Sequence, residues 1–503
     1  MARTQLVWFK RDLRVADHQP LSDAARHGPV LALYVYEPSI WGAGDLDASH
    51  LTFVNAALTE LRAALQRLGG TLVLRVGEMP DVLATLVRAH DVGAVWAHEE
   101  TSTLQGYARD RQVRAWLRAE GVPFNELPTN GVVRGLASRD GWSRIWERRM
   151  RAPMAAPPKQ LRAPHGLDAG ALAGPAQLGL AADRKRTGYA GGEREAHALL
   201  QEFLHERGLD YRRAMSSPVT AFHACSRLSP HFTWGTLSVR QAYQALHVRL
   251  ESIALRKRAG KFVDPRWTGS LSSFASRLRW RCHFMQKLED EPALEVTTMC
   301  EAYEGVRPRE PDAARFAAWC EGRTGVPLVD ACMRALLGGS WLNFRMRSML
   351  VSFASYDLWL DWRPTSRFLA RHFLDYEPGI HYCQFQMQSG VTGINTIRLY
   401  NPWKQAEEHD PEGRFVKQWV PELAGVPTDY ILRPHEMPMM IQQMSDCIIG
   451  EQYPAPIVEH AAAARTAYDT LWAIRQDPAT RPLARAVHQK HGSRAESAAH
   501  RGL

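Results

Sequence analysis

VLALYVY, residues 30–36, is an unbroken apolar run with two valines and two tyrosines. A run without polar alternation is the pattern of a strand buried on both faces of a parallel sheet. Three more runs of this kind lie nearby: QLVWF at 5–9, TLVLRV at 71–76 and GAVWA at 93–97. Between them the pattern changes to a helical period, clearest over 51–68, where Val54, Leu58, Leu61, Leu65 and Leu68 recur every three or four residues. Strands alternating with helices predict a doubly wound, Rossmann-like α/β domain over residues 1–135. It lacks both G-x-G-x-x-G and a P-loop; WGAGDLD at 41–47 begins like the former and fails at its last glycine, so no ligand is named for this domain from its motifs.

Residues 136–192 read as an interdomain linker. From 152 onward they are rich in Pro, Ala and Gly (APMAAPPKQLRAPHGLDAGALAGPAQ), with a basic RKR at 184–186. A helical pattern opens at GGEREAHALLQEFL, where Ala196, Leu199, Leu200, Phe203 and Leu204 share one face, and continues over 193–475 as an all-helical domain. The segment 476–503 is polar and basic and is expected to be disordered.

A chain of 503 residues has room for two or three domains. Lys and Arg outnumber Asp and Glu by 62 to 53, a surplus that favours contact with a polyanion. The seven cysteines, at 225, 282, 300, 320, 332, 383 and 447, include no C-x-x-C pair, which argues against a disulfide framework and against a clustered metal site. The start, MARTQLVWFKRDLR, has no apolar core of a signal peptide, and no apolar run reaches membrane-spanning length. The expectation is a cytoplasmic protein without metal or membrane contact.

The helical part contains CSRLSPHFTWG at 225–235, in which Ser226, Arg227 and Ser229 sit among apolar neighbours and carry hydrogen-bonding capacity that an apolar core cannot satisfy. Hydroxyls and N–H groups at a helix start suit an anion.

An α/β domain, a long connector and a helical domain with this segment resemble the photolyase/cryptochrome superfamily. The motifs fall in the family's order: VWFKRDLR at 7–14, GGE at 191–193, SRLSP at 226–230, TGVPLVDACMR at 324–334, WLNFRMRSML at 341–350, LDW at 360–362, HDPEGRF at 409–415, WVPEL at 419–423 and YPAPIVEH at 453–460. The resemblance implies an N-terminal antenna-type domain and a helical domain that binds FAD. It places Cys225, Ser226, Arg227, Leu228 and Ser229 in the loop that holds the FAD diphosphate, Tyr211 just before it, Arg281 beside the phosphates and Phe274 where relatives often have Trp. Arg347 and Asp375 resemble the ion pair over the reactive edge of the flavin, with Glu377 close by and His381 at the position facing flavin N5. A second, antenna chromophore (folate, deazaflavin or flavin) is implied for the first domain, its identity open.

The same resemblance implies UV-damaged DNA as partner, a monomer, and a nucleoid location when bound to DNA. Trp280 corresponds to the tryptophan that stacks on a flipped-out lesion, and Arg212, Arg213, Arg277, Arg345 and Arg398 are candidate DNA contacts. Asn343, in Trp341-Leu342-Asn343-Phe344, stands where enzymes for the (6-4) photoproduct have a His pair, which favours the cyclobutane dimer. Departures concentrate in EPGIHYCQFQMQSG at 377–390. Phe385 replaces the first tryptophan of the usual electron-transfer triad, Met387 replaces a second lesion-stacking tryptophan, and Trp362 keeps the middle triad place. The leading function is light-driven splitting of pyrimidine dimers by reduced FAD; the alternatives are a cryptochrome-type blue-light photoreceptor and a nucleotide- or nucleic-acid-binding protein without photochemistry.

Overall fold

A computed structural model of the chain describes residues 2–493. The four apolar runs form β1 (Thr4–Phe9), β2 (Val30–Tyr36), β3 (Leu72–Val76) and β4 (Val92–His98), and a fifth strand, β5 (Phe124–Leu127), completes one parallel sheet ordered β3-β2-β1-β4-β5. Every residue of β1 and β2 is buried, because helices Gln19–His27, Ala48–Arg67, Met79–Ala89 and Leu104–Ala119 cover the sheet. The residues of β5, FNEL, are all half-buried at the sheet edge, so that strand carries no apolar run to betray it.

In an open sheet of this order the ligand crevice lies beyond β1 and β4, where the order reverses. Here Asp12, His18 and His98 converge at that point, all buried. Leu21 N–H donates to His18 Nδ1 at 3.1 Å, which puts the ring proton on Nε2, and that N–H donates to Asp12 Oδ2 at 2.9 Å. His98 Nδ1 meets the same oxygen at 2.8 Å, and burial pulls the His98 pKa down to about 3, keeping the ring neutral. The trio is a satisfied hydrogen-bond network, and a protonated His18 Nε2 has no lone pair to offer a metal.

Two segments differ from the sequence expectation. Inside the expected linker 136–192 lies a helix, Trp142–Arg151, whose Trp142, Trp146 and Met150 are buried and whose Trp146 ring meets Tyr243 of helix Val239–Arg258 at 5.4 Å. Four arginines in WSRIWERRMR mask that apolar face. The remainder, 152–192, is irregular apart from a turn at Pro175–Leu178 and is pinned to the sheet by Val30 N–H to Arg162 O and Leu74 N–H to Ala169 O. The expected disorder of 476–503 is also corrected: Thr480–His491 is helical, buries Val487 and His491, and ties Lys490 and His491 to Glu291 at 2.9 and 2.6 Å. Residues 494–503 lie outside the described part.

The two domains meet through buried groups. Trp41 stacks on Trp234 at 6.0 Å, and Asp17 receives Ser238 Oγ at 2.6 Å and Arg240 Nη1 at 3.0 Å. Gly235, which closes CSRLSPHFTWG, has φ +67°, and a Cβ there would stand 2.1 Å from Arg11 O, so the approach of the two domains requires glycine. No described helix is long and apolar enough to cross a membrane.

Candidate functional site

A cavity of about 430 Å³ opens in the helical domain, a size suited to a cofactor. One wall is helix Arg266–Asp290, which presents Phe274, Arg277, Leu278, Arg281 and Phe284 at three- and four-residue spacing. Beside them Trp280 stacks on Phe284 at 5.6 Å and 29° yet keeps 41% of its surface exposed. A half-exposed indole in the wall of a deep cavity is held ready for another flat ring.

The second wall is the loop before helix Ser229–Thr233. Arg207 fixes it by donating to Cys225 O at 2.8 Å and Ser226 O at 3.3 Å. Arg227 takes φ +55°, a left-handed turn that leaves Cys225, Ser226 and Ser229 on the cavity, where Tyr211 also lines the wall. The same turn corrects two expectations. Arg227 leaves the cavity wall and stacks its guanidinium over Phe222 at 5.0 Å, and Leu228 is fully buried in the core. Burial pushes the Cys225 thiol up to about 12, so it stays protonated.

The third wall carries charge. Arg347 Nη1 and Nη2 donate to the two oxygens of Asp375 at 2.9 Å each, Nε donates to Leu342 O at 2.8 Å, and the guanidinium lies 4.1 Å over Phe373. Burial raises the pKa of Asp375, but Arg347, Ser229 and Arg281 together outweigh it and hold the carboxyl below its ordinary value of 3.8. Arg281 Nη2 pairs with Glu377 at 2.7 Å. Glu377 itself is turned away from this cavity toward Arg11 of the α/β domain, 4.0 Å away, so it acts on the site through Arg281.

Helix Pro378–Gln388 closes the cavity with Ile380, His381, Gln384, Phe385 and Gln388. His381 Nε2 donates to Ser366 O at 2.8 Å, which makes Nδ1 the acceptor; burial pulls its pKa to about 4, and its ring lies 4.6 Å from Phe385. Met387 falls on another face of this helix and does not line the cavity, contrary to the expected lesion contact. Trp362 also lies behind the wall, buried, with its ring 6.5 Å from Tyr382.

Asn343 is buried in the wall, its Nδ2 donating to Met215 O at 3.1 Å and Ser216 O at 2.7 Å. Two buried oxygens here, Asn343 Oδ1 and Gln384 Oε1, have no partner among the described residues. The orphaned acceptors call for donors such as ring N–H groups or sugar hydroxyls, while the serine hydroxyls and two arginines suit an anion; a dinucleotide carries both. Arg277 lies over Phe344 at 5.6 Å and Arg345 donates to Gln405 at 3.3 Å, both in the wall. Arg212, Arg213 and Arg398 are exposed and do not line it, so any DNA contact they make is outside the cavity. The sequence reading missed Gln384, Phe284 and the half-exposed Phe344 as wall residues. An aromatic next to Asn343 was a usable signal for Phe344; nothing in the sequence marked Gln384.

Residues 5–136 match the family described as DNA photolyase, and residues 274–473 match the FAD binding domain of DNA photolyase. The chain is 27% identical to a deoxyribodipyrimidine photo-lyase of Alkalihalophilus pseudofirmus, over 90% of this chain and 95% of that one. It is 27% identical to a cryptochrome DASH of Gloeobacter violaceus, over 93% and 96%. Among solved structures, a bacterial class III photolyase from Agrobacterium tumefaciens superposes with a TM-score of 0.81 at 25% identity, covering 95% of this chain and 98% of that one.

Proposed function

We propose that this chain, which belongs to the photolyase/cryptochrome superfamily, is a light-driven DNA repair flavoenzyme that splits UV-induced pyrimidine dimers of the cyclobutane type. One observation carries the reading: the paired Arg347 and Asp375, the Ser226/Ser229 loop with Arg281, and the half-exposed Trp280 all face the same cavity. FAD, when bound there, supplies the electron that opens the dimer. The protein's part is to hold and orient. Ser226, Ser229 and Arg281 provide hydrogen bonds for a diphosphate. Arg347 places a fixed cation where negative charge gathers on a reduced ring, and Asp375 keeps that cation in position. His381, neutral at physiological pH, adds no competing charge.

Trp280 offers its exposed face to a base taken out of the duplex. Trp280→Ala is therefore expected to reduce the preference for dimer-containing over undamaged strands by about 1–3 kcal/mol, the range for one lost base stack. Competition binding with matched oligonucleotides measures it, and an unchanged preference would remove the repair reading's main support.

Phe385 in the wall and Met387 outside it favour one other reading, a photoreceptor without repair, since the family resemblance implies an electron-relay and a lesion-stacking tryptophan at those two positions. Illumination of purified protein with dimer-containing DNA separates the two. The crevice beyond β1 and β2, lined by Trp8, Tyr34, Trp41 and Arg109, has only about 70 Å³ and does not fit a second, light-harvesting chromophore as it stands.

A further inference from the structure

Phe385 stands between the cavity and the protein interior, and a phenylalanine ring is far harder to oxidise than tryptophan or tyrosine. Behind it lies a different set of groups. Tyr376 OH donates to Asp45 Oδ2 at 2.9 Å; Tyr376 OH and Tyr382 OH are 3.2 Å apart; Tyr382 OH is 3.5 Å from the same carboxylate oxygen. Both phenols are buried, and Asp45 reaches them from the α/β domain, where it lies between the end of β2 and helix Ala48–Arg67. The rings connect to the cavity: His381, in the wall, is 5.1 Å from Tyr376 and 5.5 Å from Tyr382, and Trp362 is 6.5 Å from Tyr382 on the far side.

From this arrangement we propose that Tyr376 and Tyr382, with Asp45 as their proton acceptor, form the electron supply to the flavin site in place of a tryptophan at residue 385. The inference rests on the reading that the cavity holds FAD. The oxidant is the photoexcited oxidised flavin. One electron leaves Tyr376 for it, the phenolic O–H bond breaks, the proton moves along the 2.9 Å hydrogen bond to Asp45, and a neutral phenoxyl radical remains. Tyr382 then refills Tyr376 with an electron and a proton across the 3.2 Å contact. The Tyr382 phenoxyl recovers one electron, passed inward through the buried Trp362 from a thiol in solvent that is oxidised to a thiyl radical and releases its proton there, and one proton handed back by Asp45, which returns to a carboxylate.

The chemistry needs both partners. A buried phenol cannot first ionise, because burial holds the Tyr376 pKa well above its usual value, so loss of the electron must carry the proton to a base already in contact. Asp45 is that base: its side chain accepts from the two phenols, no cation lies within salt-bridge distance among the described residues, and burial raises its proton affinity above that of an ordinary aspartate. A cluster serving only to join the domains would not need two phenols on one oxygen beside a ring path to the cavity.

The test uses the flavin-containing protein in its oxidised form under flash illumination, with transient absorption and electron paramagnetic resonance as readouts. A phenoxyl signal is expected in the wild type. Tyr376→Phe should abolish it and slow flavin reduction roughly tenfold or more. Asp45→Asn keeps both phenols, and it should slow the same step and remove its slowing in D₂O. Thermal midpoint and flavin content of each variant identify any that fails to fold. Should Tyr376→Phe be lost in that way, Asp45→Asn decides: an unchanged rate with an unchanged D₂O effect overturns the proposal. So does an indolyl radical alone in the wild type, with the rate unaltered in Tyr376→Phe. A chain that takes up no flavin overturns the functional reading and this inference together, whereas a flavin-bearing chain with an indifferent Tyr376 overturns only the latter.

Discussion

Arg347→Met is expected to lose both flavin and stability, and the two losses should come apart in a second variant. Asp375 has a side chain only 6% exposed, and its two oxygens depend on the Arg347 guanidinium at 2.9 Å. Removing the cation strands a buried carboxylate, which costs about 3–5 kcal/mol. In the wild type the depressed Asp375 pKa gives stability that is present above the ordinary value of 3.8 and is lost as the pH falls beneath it. In Arg347→Met burial acts unopposed by Arg347 and the pKa moves up, so the sign reverses: the variant should be most stable in acid and weaken as the pH rises through the new value. Arg347→Met with Asp375→Asn removes the stranded charge and should recover much of the thermal midpoint. It should not recover a flavin that needs the cation. Thermal melts across pH, with flavin absorbance of the purified variants, check each statement. Equal flavin content in wild type and double variant would reduce the pair to a structural bridge between segments 344–352 and 373–377.

How much of this was legible in the sequence follows from burial. β1 and β2 are covered on both faces, so their runs are apolar throughout and could be read directly. β5 is half-buried and its four residues read as nothing in particular. Helix Trp142–Arg151 was hidden for a related reason: its buried positions are 142, 146 and 150, four apart, with arginines filling the turns between. Helix Thr480–His491 buries only Thr480, Val487 and His491, too little apolar pattern to stand out from a basic tail.

The candidate site was legible in position and less so in direction. Motif order placed Ser226, Ser229, Arg281, Arg347 and Asp375, and these all meet at the cavity. Which neighbours share that wall depends on local backbone geometry. Arg227 and Leu228 leave it because one residue adopts φ +55°, a conformation unusual for any residue but glycine. Met387 leaves it because the cavity face of Pro378–Gln388 runs through 380, 381, 384, 385 and 388. That spacing was available before the structure, but not the choice of face. Of the Tyr376–Tyr382–Asp45 cluster the sequence offers the two tyrosines, which stand with Trp341, Trp359 and Trp403 as candidate substitutes for the missing relay; Asp45 was illegible, since it lies 331 and 337 positions away across the domain boundary.

The largest expected effect on cofactor retention belongs to Ser226→Ala with Ser229→Ala. Each hydroxyl lines the cavity, and hydrogen bonds to a charged group are worth about 1.5–3 kcal/mol apiece, so losing two should cost roughly 3–6 kcal/mol. That corresponds to a rise of about 10²- to 10⁴-fold in the dissociation constant for FAD. The two serines are not equivalent. Ser226 Oγ accepts from Leu228 N–H at 3.4 Å, a long contact that leaves the hydroxyl proton free for an anion. Ser229 also acts on the Asp375 carboxyl, helping, after Arg347, to hold it below its ordinary value. Ser226→Ala alone should therefore weaken FAD without altering the acid stability of the protein. Ser229→Ala should do both, since Asp375 loses that help along with the flavin. Equilibrium dialysis or fluorescence titration with FAD, paired with melts below pH 5, reads the two effects separately. Full FAD content in the double variant would remove the diphosphate from this loop and leave Arg281, Arg347 and the orphaned acceptors of Asn343 and Gln384 to hold the cofactor in some other orientation.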